Sequence, residues 1–593
     1  MMFTAPDPFT TRPTLRGSFG MAASTHWLAS SSAMAVLERG GNAFDAAVAA
    51  GFVLQVVEPH LNGPGGDLVG LIAPADQEPK VLAGLGAAPR GASVESYREL
   101  GLELVPGAGL LAATAPGAFD AWLLLLRDYG TWELDGVLAF ALHYAEAGYP
   151  VLPAVTRTIG TVADLFRDSW STSAAAWLKD GEPIEAGSIH TRPVWAATLR
   201  RLLESAAGDS REDRIEAVRN EWSTGFVANA IAEFAATPWR DSSGEDHAGV
   251  LNSEDLADYR AAWEEPLRLD FRGNTVLKAG EWTQGPVLLQ ALAILDGLDD
   301  ALLDPSTGEG AHTILEALKL ALADRDAWYG DDESSPIETL LSPEYTETRR
   351  ALITTIASSE LRPGSPDGRE PHIPVTGTTE ISGDGLAGAG EPTVGADGVT
   401  RGDTCHLDIA DSFGNVLSIT PSGGWLQSSP EIPELGFCLG SRLQMTWLED
   451  DLPSSLRPGQ RPRTTLSPTM VLREQSILAL GTPGGDQQDQ WQLPFLLRVL
   501  IGGYELQQAI DAPTFHTTSA NESFWPRERV PGGAIVEDRL GRDAIAELIV
   551  RGHDVTVAGS WTLGRLSAVE RNTDGRLSAG ANPRGTQGYA VGR

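Results

Sequence analysis

The sequence predicts an α+β protein in which helical layers cover a sheet-rich centre. Three observations carry this. The first two-thirds of the chain space apolar residues at helical intervals, the last third alternates them at strand intervals, and a stretch with almost no apolar periodicity divides the two. In the first part, Ala43–Val57 (AFDAAVAAGFVLQVV) is rich in small helix formers and apolar nearly all round, which predicts a buried helix. Residues 117–129 and 132–147 show helical spacing. Residues 311–329 put Ile314, Leu315, Leu318, Leu322 and Ala323 on one stripe, with charges opposite. In the last part, residues 404–409, 416–420, 469–472 and 477–480 read as strands. No internal repeat is visible.

The dividing stretch, residues 362–402, is a Gly-rich loop or linker by composition. It separates a large part, residues 1–403, from a small part, residues 404–593.

Composition narrows the function. With 44 basic and 80 acidic side chains the net charge is −36. That argues against nucleic acid and anionic membrane as partners, since both need clustered Lys and Arg. Two cysteines, Cys405 and Cys438, cannot build a disulfide framework or a Cys-rich zinc site. The first residues lack the apolar region of a secretory signal, and no apolar run is long enough to span a bilayer, so a cytoplasmic protein is expected. GxSxG, HExxH and CxxC are absent. GDGLAG at 383–388 fits GxGxxG but follows no strand and opens no helix, so it is not read as a dinucleotide site. No cofactor or metal is expected.

The most informative segment is DTCHLDIADSFGNVLSITPSGG, residues 403–424. Two apolar-alternating runs flank DSFGN, a turn-rich loop of hairpin length. If Ala410 pairs Val416, then Ile409 faces Leu417 and Leu407 faces Ile419, as a buried face requires. That register sets Ser422 opposite Thr404. Thr404, His406 and Asp408 share one face; Cys405, Leu407 and Ile409 share the other, apolar one. Two hydroxyls thus meet just after a Gly-rich stretch. Most Thr–Ser pairs only start a strand and fill a turn. Here the combination suggests an N-terminal nucleophile. If the chain is cut before Thr404, the freed α-amine is a base of suitable pKa beside the hydroxyl it must deprotonate. A cut one residue later would instead arm Cys405, but strand parity sends that thiol into the apolar face. His406 reads as a structural histidine, and Trp425 as a core residue or a pocket wall.

With these residues in view, the chain resembles the gamma-glutamyltransferase family of N-terminal nucleophile hydrolases along nearly its whole length. The segments that carry the resemblance are GMAAS at 20–24, GGNAFDAA at 40–47, EPHLNGPGG at 58–66, LADYR at 256–260, ADRD at 323–326, RPRTTLSPT at 461–469, GTPGG at 481–485 and the tail NPRG at 582–585 with AVG at 590–592. The resemblance implies an αββα four-layer sandwich, self-cleavage between Asp403 and Thr404, and a heterodimer of the two products that could assemble further. It implies acyl transfer from a small-molecule amide to water or an amine. Carried over, Thr404 is the nucleophile, Ser422 its hydrogen-bonding partner, and Gly484 and Gly485 the oxyanion donors.

The departures from the family lie in substrate recognition. Leu85 stands where an Arg clamps the donor carboxylate. Arg442 replaces a Gln, Met445 the acid that meets the donor amine, and Gly424 an Asn. Thr464 and Thr465 replace a Ser pair that touches the carboxylate. The expectation is an amidohydrolase or acyltransferase with specificity changed from gamma-glutamyl. Arg442 either meets an acidic acyl group, such as that of a dicarboxylic monoamide, or is structural, capping a loop or pairing with an acid of the chain. Two alternatives stand beside this reading: a true gamma-glutamyltransferase acting on glutathione-like donors, and a non-catalytic relative that binds a small ligand in the old pocket.

Overall fold

The computed structural model describes residues 3–332, 334–374, 393–394, 400–401 and 404–593. Asp403, most of the Gly-rich stretch and the GDGLAG segment lie outside the described residues.

Two seven-stranded sheets form the centre. The first runs Ala262–Glu264, Lys80–Gly84, Asp67–Ala73, Val416–Ser422, Leu407–Asp411, Gly20–Ser24, Tyr589–Gly592. The second runs Leu15–Gly17, Leu577–Ala581, Ser567–Asn572, Ser476–Gly481, Thr469–Arg473, Asn274–Lys278, Leu267–Phe271. Every neighbouring pair in both sheets is antiparallel.

Three apolar clusters locate the cores. One unites residues of both sheets, among them Met21, Val69, Leu71, Met470, Ala479 and Val569. A second sets Leu407, Ile409, Leu417 and Ile419 of the first sheet against helical residues such as Phe52 and Trp122. A third sets Val471 and Leu478 of the second sheet against Leu292, Leu315 and Leu496.

The helix Ala43–Val57 forms as its composition predicts, and every residue in it is buried. Its start is fixed by a capping box: Asn42 accepts from Asp45 N–H while Asp45 accepts from Asn42 N–H. Asp45 also accepts from the amides of Thr131 and Trp132, tying this helix to the connection between helices Ala118–Tyr129 and Leu134–Ala147. The periodic stretches at 117–129 and 311–329 are the helices Ala118–Tyr129 and Gly308–Trp328.

The large part supplies four of the seven strands of the first sheet, among them Asp67–Ala73 (DLVGLIA), which is buried at every position and which the sequence did not single out. A strand covered on both faces loses polar alternation and resembles a short helix segment in sequence. The start of the Gly-rich stretch is anchored rather than loose. Arg362 donates to Glu316 at 2.8 Å and Gly364 N–H to Asp324 at 2.6 Å, both on helix Gly308–Trp328. Among the described residues no helix is long and apolar enough to cross a membrane.

Burial holds several histidines neutral. His26, His60, His516 and His553 are each pushed down to about 3. An unfolded chain binds these protons from about pH 6.5 downward and the folded one does not. Stability therefore falls as pH drops from about 6.5 towards 3, by roughly 1.4 kcal/mol per pH unit for each proton of difference. The urea midpoint should decline steadily between pH 7 and pH 5; a flat midpoint over that range would contradict the assignment.

Candidate functional site

The hairpin forms in the register that its apolar residues demand. Leu407 pairs Ile419, Ile409 pairs Leu417 and Ala410 pairs Val416. Cys405 N–H donates to Pro421 O at 3.0 Å, which extends the pairing beyond the regular strand towards Thr404. Thr404 Oγ1 then donates to Ser422 Oγ at 3.2 Å, with both side chains buried. The sequence-derived hydroxyl pair is thus a contact in the folded chain.

The opposite face of the same strand is closed. The Cys405 thiol donates to Glu58 Oε2 at 3.1 Å and accepts from Asn62 Nδ2 at 3.0 Å, and Thr25 Oγ1 holds the same Glu58 oxygen at 2.5 Å. Burial, with Glu58 beside it, pushes the thiol well above its ordinary range, which disfavours the thiolate that a cysteine nucleophile needs.

His406 and Asp408 face the second sheet. His406 Nδ1 bonds the Thr420 hydroxyl at 2.8 Å and Nε2 bonds Asp408 Oδ1 at 2.9 Å. Ser567 of the second sheet donates to Asp408 Oδ2 at 2.7 Å, and Ser418 donates to the carbonyl of Leu480 at 3.0 Å. Both histidine bonds stay within the first sheet, while Asp408 and Ser418 make the bonds that cross to the second. His406 packs onto Gly481, the last residue of strand Ser476–Gly481: a Cβ there would lie 2.2 Å from His406 Cε1.

Gly481 leads directly into Thr482-Pro483-Gly484-Gly485 and the helix Gln488–Leu500. Gly484 and Gly485 have φ of +119° and +36°, backbone geometry that L side chains rarely adopt. Their amides lie just ahead of a helix N-terminus, where partial positive charge favours a developing oxyanion. Gln284 Nε2 fixes the Gly485 carbonyl at 3.1 Å. Gly481, just before this turn, packs directly on His406, two residues after Thr404.

A family profile for gamma-glutamyltranspeptidase matches residues 29–592. This chain belongs to the gamma-glutamyltranspeptidase family. The oxamate amidohydrolase proenzyme of Klebsiella pneumoniae is 30% identical over 97% of this chain and 98% of its own length. The solved protein named LmbA2991 is 54% identical, with a TM-score of 0.93 over 99% of this chain and 100% of that one. The cephalosporin acylase of Bacillus halodurans is 27% identical, with a TM-score of 0.81 over 100% of this chain and 99% of that one. By family the chain is an amide-bond hydrolase or acyltransferase.

Set against the family pattern, each departure now has a place. Leu85 is buried in the cluster between the sheets and offers no charge. Met445 packs with Trp425 and Phe524 in a small apolar cluster. Arg442 is held by Asp67, through Nη2 to Oδ1 at 2.8 Å and Nε to Oδ2 at 2.7 Å, and its Nη1 rests 3.5 Å from the Met445 sulfur. Of the two readings of Arg442, the structure displays the internal ion pair. Asp67 sits opposite Ser422 in the neighbouring strand, so the pair borders the hydroxyls.

Gly424 has φ +63°, and a Cβ would lie 2.7 Å from Gly66 N. Its contribution is close backbone packing against the GPGG segment at 63–66, where Gly63 N–H donates to Gly423 O at 2.9 Å. Thr464 is fixed by its main chain to Trp282 and Gln284 at 2.9 and 2.8 Å. Thr465 Oγ1 is buried and has no hydrogen-bond partner among the described residues.

Asp67, Glu58, Asn62 and Phe524 were not singled out from sequence. Three of them lie in or directly after the EPHLNGPGG motif, which was the available signal.

The inter-sheet contact makes a specific demand. Gly481→Ala drives a methyl into the His406 ring and should lower activity at least tenfold while the protein remains folded by circular dichroism. An unchanged rate would show that this contact does not set the turn.

Proposed function

We propose that this protein is a self-processing amide hydrolase or acyltransferase with an αββα four-layer sandwich, whose Thr404 is an N-terminal nucleophile. The observation that carries the reading is the buried Thr404–Ser422 hydroxyl contact at the start of the small part. The chain is cut between Asp403 and Thr404 by an N-to-O acyl shift of the Thr404 hydroxyl and hydrolysis of the resulting ester. Residues 1–403 and 404–593 remain together as a heterodimer.

In the mature enzyme the α-amine of Thr404 takes the proton of its own hydroxyl as Oγ1 attacks the substrate carbonyl. Ser422 orients Oγ1. The amides of Gly484 and Gly485 receive the oxyanion; each such donor lowers the barrier by about 3 kcal/mol. Collapse breaks the amide C–N bond, the leaving amine takes the proton, and an ester on Thr404 remains. Water or an amine then attacks that ester, and the acyl product leaves with Thr404 restored.

The acyl donor is not gamma-glutamyl. Its recognition needs a cation for the α-carboxylate and an acid for the α-amine. Leu85 and Met445 supply neither, and Arg442 is engaged by Asp67. The apolar cluster of Trp425, Met445 and Phe524 suits a carbon chain without an amine.

Sequencing of purified active protein should give a second N-terminus reading Thr-Cys-His, and Thr404→Ala should stay a single uncut chain. Ser422→Ala should cut turnover roughly 10²-fold with folding intact. A full-length uncut chain that turns over amides would reject the proposal. Rapid release of nitroaniline from a gamma-glutamyl anilide would reject the change in specificity.

A further inference from the structure

The turn that carries Gly484 and Gly485 is held from outside by a buried arginine. One peptide plane of the turn is set locally: Gln487 N–H donates to Gly484 O at 2.8 Å, which fixes the plane that presents the Gly485 amide. The next plane, between Gly485 and Asp486, is set by the large part of the chain. Gln284 Nε2 donates to the Gly485 carbonyl at 3.1 Å, and Gln284 Oε1 accepts from Arg325 Nη1 at 3.3 Å. The same Nη1 pairs with Asp486 Oδ1. Arg325 thus grips the turn twice, once through Gln284 and once through Asp486.

Each end of this grip is itself fixed. Arg325 is fully buried near the C-terminal end of helix Gly308–Trp328. Its Nε and Nη2 each lie 2.9 Å from Asp326 Oδ1, and Nη2 donates to Asn521 O at 2.8 Å. Ser523 donates its N–H to Asp486 Oδ2 at 2.7 Å and its hydroxyl to Oδ1 at 2.6 Å. Gln284, also fully buried, donates its N–H to Thr464 O at 2.8 Å.

Direction rather than net charge is what the arginine adds. Burial alone would raise the Asp486 carboxyl, but Arg325 and Arg463 outweigh it and hold the group below its ordinary range. With ion pairs to Asp326 and Asp486, the guanidinium has its charge matched. What remains is a planar fork whose donors point at fixed places.

We infer that Arg325 is a positioning residue: by joining Gln284 to Asp486, its guanidinium holds the Gly484-Gly485 turn in the conformation that presents the amides to the oxyanion. This rests on the proposed amide chemistry and adds the groups that keep the donors aimed. A donor aimed at developing charge acts in the transition state, so its misplacement lowers kcat more than it changes KM.

Two variants test the link. Arg325→Lys keeps a buried cation for Asp486 but lacks the fork that also reaches Gln284. Gln284→Met is close in size, leaves Arg325 with Asp486 and removes only the bridge to Gly485. Hydrogen exchange read by mass spectrometry needs no substrate. In both variants the peptide covering residues 484–490 should exchange roughly tenfold faster, while peptides from helix Ala43–Val57 stay unchanged and report an intact fold.

In the processed enzyme, both variants should lower kcat roughly tenfold, with KM within about twofold, on the acyl p-nitroanilide that the unaltered enzyme cleaves fastest. The double variant should be no slower than the worse single one, because the two side chains act as one unit. Unchanged exchange at the turn overturns the inference whatever the enzyme hydrolyses, and so does a loss confined to KM. Faster exchange with an unchanged kcat would uphold the hold of Arg325 on the turn and sink Gly484 and Gly485 as oxyanion donors.

Discussion

The antiparallel pairing of Leu407–Asp411 with Val416–Ser422 is the constraint from which the site follows. Its register is enforced by burial. Leu407, Ile409, Leu417 and Ile419 all enter the helix-side cluster, and each apolar side chain of that size contributes roughly 1.5–3 kcal/mol when fully buried. A slip by one residue would drive His406 and Asp408 into that cluster and strand their hydrogen bonds. The register that satisfies the core is also the one that sets Thr404 against Ser422. The hydroxyl contact is therefore a by-product of packing on the far face of the strand, where Cys405 is pinned by Glu58 and Asn62.

The second sheet is located by polar rather than apolar contacts at this end. His406, Asp408, Ser418 and Thr420 form a buried network whose partners across the gap are Ser567 and the Leu480 carbonyl. Every hydrogen bond in such a network has a direction, so the two sheets have little freedom to slide. That rigidity matters to the proposed chemistry because Thr404 and the Gly484-Gly485 turn adjoin strands of different sheets. The Asp67–Arg442 pair neutralises one charge beside the hydroxyls.

Much of this was legible in the sequence, for identifiable reasons. The hairpin register could be read because apolar and polar residues alternate through 404–422, a signal that survives when one face of a strand is apolar and the other polar. Helices such as Ala43–Val57 and Gly308–Trp328 could be read from length and spacing. The strand Asp67–Ala73 could not, since it is buried on both faces and carries no alternation. Nor could the partner of Arg442: nothing in a linear chain marks that residue 67 lies beside residue 442. The same holds for Gly481, whose small size is explained only by the His406 ring lying against it.

The central claim is chemical: the Thr404 hydroxyl, armed by the α-amine on the same residue, carries the acyl group during turnover. Quenching the enzyme with acid during turnover of an acyl anilide and digesting it should yield a peptide beginning at Thr404 that is heavier by one acyl group. The added mass should be released by hydroxylamine, as an ester is. An acyl group found on any other residue, or none found despite a burst of released nitroaniline, would contradict the account.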